Sequence, residues 1–234
     1  MKLIGLLGGM SWESTSVYYR AINEAVKERL GGLHSARCLL YSVEFAEIAA
    51  LQQAGDWERA GELLADAAAA LERAGAECLV LCTNTMHLVA PAIEGRIGLP
   101  LLHIADPTAA AISAAGLRRV GLLATRFTME QEFYKGRLRE RHGLEVIVPE
   151  PADRALVHQV IYEELCLGVI REESRARYLE IVGRLAAAGA EGIILGCTEI
   201  DLLIGQKDIA LSVFDTTLLH ARAAVDFALS AEPA

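Results

Sequence analysis

The sequence lacks three things, each of which would have pointed to a class of protein. There is no excess of basic residues: 22 Lys and Arg against 31 Asp and Glu leave a net charge of -9. A nucleic-acid partner is not expected from that balance, because gripping a phosphate backbone requires a basic face. There is no apolar run near the roughly 18 residues of a membrane span, so no membrane partner is expected either. The five cysteines show neither disulfide-framework spacing nor a Cys-x-x-Cys pair, and a reducing cytoplasm is the compartment they suggest. The start, Met1-Lys2-Leu3-Ile4-Gly5, runs directly into a strand without the apolar region and cleavage site of a signal peptide. Nor is there a Pro/Gly/Ser-rich linker. What is present is apolar material, 53% of the chain, enough to fill the core of one large or two small domains.

One stretch organises the rest. Gly75-Ala76-Glu77-Cys78-Leu79-Val80-Leu81-Cys82-Thr83 has a twin in the second half, Gly189-Ala190-Glu191-Gly192-Ile193-Ile194-Leu195-Gly196-Cys197-Thr198. Each copy opens with Gly-Ala-Glu, continues as a short apolar run and ends in Cys-Thr. Such a run, following a helical segment and a glycine, reads as a buried parallel strand. Cys-Thr then falls at its C-terminal end, the edge at which open α/β sheets bind ligands. A second pair, Lys2 to Gly8 and Arg119 to Ala124, recurs at nearly the same offset. Two matches in order imply an internal two-fold repeat.

The expected fold is therefore α/β, with two domains of mainly parallel sheet. Strands are expected at 3–8, 37–43, 78–82 and 101–104, then at 119–123, 145–148, 192–196 and 211–214. Ser11 or Ser14 should cap the first long helix and Asp56 the helix that ends at Gly75. Residues 44–53 read as a short helix or an active-site loop, and 44–56 as a segment that gates the site. Asp106 is expected to cap the helix opening the second copy, with Pro107 at its first position. The last strand and helix exceed what the second copy needs, so they are expected to cross back and complete the first sheet. The domains are then 1–104 plus 210–234, and 105–209.

Free cysteines are most often small core hydrophobes, and Cys38, Cys78 and Cys166 are read that way first. Cys82 and Cys197 differ: both end an apolar strand, both precede Thr, and both precede a helical segment whose N-terminus should favour thiolate. No third and fourth ligand accompany them, so no metal is expected. His87 and His103 near strand ends read as structural residues rather than as the partner of a cysteine nucleophile. The loop Gly5-Leu6-Leu7-Gly8-Gly9-Met10 has neither the dinucleotide nor the P-loop glycine pattern. It reads as a tight turn that lets backbone approach a small ligand.

Cys82-Thr83-Asn84-Thr85 and Gly196-Cys197-Thr198-Glu199, with Gly8-Gly9-Met10-Ser11 in front, resemble the motifs of the aspartate/glutamate racemase superfamily. The likeness covers essentially the whole chain. It is strongest to the broad-specificity members of the aspartate racemase branch, through Gly31 to Ala36, Thr128 to Tyr134, Ile161 to Leu165 and Val213 to Thr216. Glutamate racemases usually carry Gly-Cys-Thr-His and an acidic front loop. Glu199 and Met10-Ser11 stand here instead. The resemblance implies two pseudo-symmetric α/β domains with the active site in the cleft between them, a homodimer, and a free amino acid as substrate. It implies Cys82 and Cys197 as the catalytic pair and no cofactor, pyridoxal phosphate included. Thr83, Asn84, Thr85 and Thr198, with the Met10-Ser11 backbone, become candidate contacts to the substrate carboxylate or ammonium, and Thr125 and Glu199 complete that set.

Two thiols on opposite faces of Cα suit racemisation: one removes a proton while the other returns one, and the roles reverse with direction. Without an electron sink, the carbanion's charge has to be met by preorganised donors, each worth about 3 kcal/mol of barrier. The stretches Glu47 to Gln53 and Leu165 to Gly168 carry no Lys or Arg where aspartate-specific relatives place basic residues. Neutral side chains of about homoserine size are therefore expected, with Gln52 and Cys166 as side-chain contacts. Competing readings are an aspartate racemase, a hydantoin racemase or related isomerase, a carboxylate-binding protein without catalysis, and a dithiol redox protein. Only the last wants Cys82 and Cys197 to bond readily, which needs Cα atoms within about 7 Å.

Overall fold

The computed structural model describes residues 1–230. They divide into two compact units, residues 1–103 with the chain from His220 onward, and Ile104–Leu219.

The first unit runs β1 (Ile4–Gly8), α1 (Trp12–Leu30), β2 (Cys38–Ser42), α2 (Phe45–Ala54), α3 (Trp57–Arg73), β3 (Cys78–Leu81), a 3-10 turn (Thr85–Val89), α4 (Ala90–Glu94) and β4 (Leu101–Leu102). Its sheet has the order β2-β1-β3-β4, and all pairings are parallel. Ile4 lies opposite Cys38 on one side and Cys78 on the other. Strands β1 and β3 are buried throughout, so they are apolar on both faces rather than alternating. One face packs Leu7, Leu79 and Leu81 against Leu64, Ala68 and Leu71 of α3. The other packs Ile4, Leu6, Val80 and Cys82 against Tyr18, Ile22 and Val26 of α1. The alanines along α3 keep that helix close to the sheet. Ser11 caps α1, its Oγ accepting from the Ser14 amide at 3.3 Å, and Asp56 caps α3 through the Arg59 amide at 3.1 Å.

The second unit runs α5 (Ala105–Ala114), β5 (Arg119–Ala124), α6 (Arg126–Glu130), α7 (Glu132–His142), β6 (Glu145–Ile147), α8 (Pro151–Glu163), a 3-10 turn (Leu165–Leu167), α9 (Glu172–Ala187), β7 (Gly192–Gly196), a 3-10 turn (Thr198–Leu202) and β8 (Ser212–Asp215). Its sheet, β6-β5-β7-β8, is again parallel and repeats the order of the first. The equivalent glutamates do equivalent work. Glu77 accepts from the Leu3 amide at 2.7 Å, and Glu191 accepts from the amides of Arg118 and Arg119 at 2.8 and 2.9 Å. Each ties the start of its Cys-bearing strand to the central strand.

Two expectations are corrected. The last strand does not cross to the first sheet: β8 pairs with β7, Ile194 opposite Phe214. Gly192 makes this fit possible, since a side chain there would meet the Phe214 ring at 2.8 Å. Only the final helix, α10 (Thr216–Leu229), reaches the first unit, where Ala221, Ala224, Val225 and Ala228 join the core beneath β1 and β3. Asp106 does not cap α5. It lies inside the helix and is held by a two-pronged contact with Arg137, at 2.7 and 2.6 Å, and by His142 at 3.2 Å. Of the two readings of residues 44–53, the helix is the one formed: α2 is capped by Glu44 and buries Ile48 and Gln52.

Candidate functional site

Because every pairing in a sheet is parallel, the carboxyl ends of its strands share one edge. In the first unit β1 delivers Gly8-Gly9-Met10-Ser11 to that edge and the adjacent β3 delivers Cys82-Thr83-Asn84-Thr85. The Cys82 amide still donates to the Leu7 carbonyl at 2.9 Å, so the thiol sits where the ladder ends. In the second unit β5 delivers Thr125 and the adjacent β7 delivers Cys197-Thr198-Glu199.

The front loop is tightly built. Thr15, which sequence reasoning passed over, holds it from α1. Its Oγ1 accepts from the Gly9 amide at 2.8 Å and donates to the Ser11 carbonyl at 2.7 Å. Gly9 has φ of +92° and lies so close to Val43 that a Cβ would stand 2.3 Å from that carbonyl oxygen, which only glycine allows. The Met10–Ser11 peptide is cis. Met10 packs into the core, and the Ser11 Oγ accepts the capping bond from the Ser14 amide.

Thr83, Asn84 and Thr85 are all buried. The Thr83 amide turns back to the Leu81 carbonyl at 2.8 Å, and the Thr83 carbonyl accepts from His87 Nδ1 at 2.7 Å. Gln52 comes to the same turn from α2: its Nε2 donates to Met86 Sδ at 3.0 Å. Thr125 is buried at the end of β5 and caps α6 through the Thr128 amide at 3.4 Å. Cys166 lies half-buried in the 3-10 turn after α8 and packs, like Cys197, against the second unit's core.

The two candidate thiols differ in their partners. Cys82 is fully buried, and its Sγ donates at 3.6 Å to the Val80 carbonyl, which cannot take a proton. Cys197 is half-buried, and its Sγ donates at 3.1 Å to Oε2 of Glu199, a buried carboxylate that can. Burial pushes both thiols upward. For Cys197 the Glu199 charge adds to the rise, and the neighbouring Cys166 contributes. This reverses the expectation of thiols lowered by helix starts. Each Cys-Thr leads into a 3-10 turn of five residues rather than a long α-helix, and such a turn has little aligned dipole to offer. Cys38 and Cys78 sit inside strands and burial lifts them to about 11 and about 12, which suits inert core thiols. Arg126, also overlooked in the sequence, follows Thr125 at the same edge; it is exposed and lies over the Phe127 ring at 5.2 Å.

At the end of β8, Asp215 accepts from the Thr217 and Leu218 amides at 2.8 and 3.1 Å, capping α10. Burial, helped by Asp201, raises its carboxyl from 3.8 to about 6. The folded chain therefore holds this proton more tightly than the unfolded one. That contribution favours folding below about pH 4 and is lost as pH rises through about 6. We expect the unfolding free energy to carry a component of about 3 kcal/mol that disappears across this window. Asp215→Asn should flatten that component in urea titrations at pH 5 and pH 8; an unchanged pH slope would remove the assignment.

Among the described residues no group of three or more His, Cys, Asp or Glu is arranged to hold a metal ion, and no helix is long and apolar enough to cross a membrane.

Comparison with known proteins agrees with this architecture. The Asp/Glu/hydantoin racemase family model matches residues 7–224. The crystal structure of a candidate Asp/Glu racemase from Yersinia pestis is 59% identical, covers 98% of this chain and 100% of that one, and superposes with a TM-score of 0.92. An aspartate racemase homologue from Pyrococcus horikoshii OT3 is 36% identical over 98% and 100% of the two chains, with a TM-score of 0.84. The broad-specificity amino-acid racemase RacX of Bacillus subtilis (strain 168) is 22% identical over 230 residues, 95% of this chain and 96% of that one.

Proposed function

The chain belongs to the Asp/Glu/hydantoin racemase family and is thus an isomerase, and from that premise we propose that it interconverts L- and D-amino acids without pyridoxal phosphate, using Cys82 and Cys197 as two bases on opposite faces of Cα. The observation that carries the reading is the matched placement of the two thiols. Two sheets of identical strand order each end their third-position strand in Cys-Thr, at the edge where the neighbouring strand also ends. A reaction that treats mirror-image substrates alike wants two matched groups, and a duplicated unit supplies them.

In this mechanism one cysteine is thiolate and the other thiol. The thiolate takes the Cα proton and the thiol gives its own to the opposite face. Amide and hydroxyl donors from Thr83, Asn84, Thr85 and Thr198, and the backbone of the front loop, hold the carboxylate as charge builds on it. The pair is asymmetric in its partners: the Cys197 thiol donates to the Glu199 carboxylate, a group able to receive a proton, whereas the Cys82 thiol donates to a carbonyl, which is not. We therefore assign Cys197 as the base in the resting enzyme and Cys82 as the acid.

For the side chain, Gln52 and Cys166 are neutral, and no basic residue stands in α2. Neutral amino acids of about homoserine size are the preferred substrates on this reading, and RacX, a relative of broad specificity, is consistent with it. Arg126, a cation at the β5 edge, favours the alternative of an acidic side chain such as aspartate. A panel of L-amino acids, neutral, acidic and basic, followed by loss of optical rotation, separates the two. The account expects turnover of homoserine-sized neutral substrates at least tenfold above aspartate. Faster turnover of aspartate moves the assignment to Arg126, and no turnover of any member removes the racemase reading for free amino acids. A cytoplasmic setting and a homodimer complete the proposal; a monomeric mass in solution contradicts the latter.

A further inference from the structure

His87 is buried and stands one turn after Cys82. A buried histidine near a strand end most often serves packing alone. Two observations argue for more here. The first is its bond. A carbonyl can only accept, so the 2.7 Å contact with the Thr83 oxygen requires Nδ1 to carry the proton. The Thr83 peptide is held from both sides, its amide by the Leu81 carbonyl at 2.8 Å and its own carbonyl by His87. This sharp turn is where the chain leaves β3 and where Cys82, Thr83 and Asn84 take their directions.

The second observation is what holds His87. Its ring lies 4.4 Å from that of His103, just past β4, and 5.9 Å from that of His220 on α10. His220 is fixed in turn. Its Nε2 donates to the Leu102 carbonyl at 2.6 Å, and its Nδ1 accepts from the Tyr18 hydroxyl of α1 at 2.9 Å. The three imidazoles and Tyr18 thus join β3, β4, α10 and α1 of the first unit beneath one turn, all buried. A side chain anchored by several elements holds its bond more rigidly than one on a free loop.

We infer that His87 is a positioning residue for the reaction: through Nδ1–H to the Thr83 carbonyl it sets the direction of the Cys82 thiol and of the Thr83 and Asn84 donors. The kinetic part of this inference rests on the racemase reading; the hydrogen-bond part does not. Misplacing reacting groups by about 1 Å costs roughly 10²-fold in rate. The effect falls on kcat, because the bond orients groups that matter most as charge develops, and leaves KM nearly unchanged.

The test uses two opposed variants of the full chain. His87→Asn keeps a donor close to the Nδ1 position and discards the ring. His87→Phe keeps a ring and discards the donor. Positioning expects kcat to fall about 10²-fold in His87→Phe and to recover to within about tenfold of wild type in His87→Asn, with similar KM throughout. A packing role expects the reverse order, and that result overturns the inference. Two readouts need neither substrate nor turnover. Nitrogen-15 NMR of the wild-type protein should find a proton on His87 Nδ1; an Nδ1 that carries no proton overturns the inference with no variant made. Hydrogen exchange read by mass spectrometry should show the peptide spanning residues 82–86 deprotected in His87→Phe and protected in His87→Asn; equal protection in both overturns it. A wild-type enzyme that racemises nothing removes the proposed function, while these two readouts still decide the bond.

Discussion

Alanine at Cys82 or at Cys197 is expected to lower racemisation by about 10³-fold or more, and the two variants should differ in what they retain. A positioned acid or base contributes roughly 10²–10⁴-fold, and racemisation needs one on each face. Neither strand end carries a second thiol on its own turn. Cys78 lies one full strand back from Cys82 with its side chain in the core, and Cys166 belongs to a different turn from Cys197. Each single variant still owns one thiol, so it should wash the Cα proton of one enantiomer into solvent without producing the other. Cys82→Ala, which keeps Cys197 and its Glu199 partner, should exchange one enantiomer; Cys197→Ala should exchange the opposite one, more slowly. Proton NMR in deuterium oxide, on each enantiomer separately, reads all four cases. A single variant that racemises at more than a tenth of the wild-type rate sinks the two-base assignment.

Glu199→Gln carries the second large effect. Burial and the neighbouring carboxylate both raise the Cys197 thiol, so a thiolate at neutral pH needs somewhere for its proton to go. Glu199 Oε2 is the acceptor in contact, at 3.1 Å. Glutamine removes the charge that helps to raise Cys197, so alkylation of Cys197 by iodoacetamide, followed on its own peptide by mass spectrometry, should set in at lower pH in Glu199→Gln than in wild type. Glutamine also cannot receive a proton from sulfur, so racemisation should be about 10²-fold slower. The other ionisable groups around Cys197, namely Cys166, Tyr162 and Tyr178, remain in place; burial holds both phenols above their usual range. Identical alkylation profiles in wild type and variant contradict the assignment.

The repeat was legible in the sequence because strands buried on both faces leave the same apolar imprint twice. Gly-Ala-Glu before each Cys-bearing strand marked both the turn and the carboxylate that clasps the central strand. Ser11 and Asp56 announced their caps, since a short oxygen-bearing side chain before a helical stretch has few other uses. The strand Ser212–Asp215 was misplaced for the opposite reason. A short strand with only Val213 and Phe214 apolar fits either sheet, and what decides is the bare Gly192 beneath Phe214, a contact between distant positions. Asp106 looked like a cap because Arg137 and His142 lie a whole helix away in sequence.

At the candidate site the residue types were readable but their environments were not. Cys-Thr at a strand end identified the thiols. The rise in both thiols comes from burial and from the Glu199 contact, neither of which the motif encodes. Glu199 read as a substrate contact and is found bonded to the cysteine two residues before it. His87 was dismissed as structural, and its bond to the Thr83 carbonyl had a signal available in the i, i+4 spacing along the turn. Thr15, four residues past the front loop, left no signal beyond lying on the first turn of α1.

The central claim, two bases on two faces, is tested most directly by where deuterium goes in the first few per cent of reaction. A protonated L-amino acid accepted by the enzyme is placed in deuterium oxide, and the two enantiomers are separated and weighed by mass spectrometry. With two monoprotic thiols, the proton removed by one never reaches the other face. The account therefore predicts that the D-product carries deuterium at Cα almost completely while the recovered L-substrate is still protonated. A product that retains the substrate's own proton would mean a single group carrying it from face to face, and would contradict the roles given to Cys82 and Cys197.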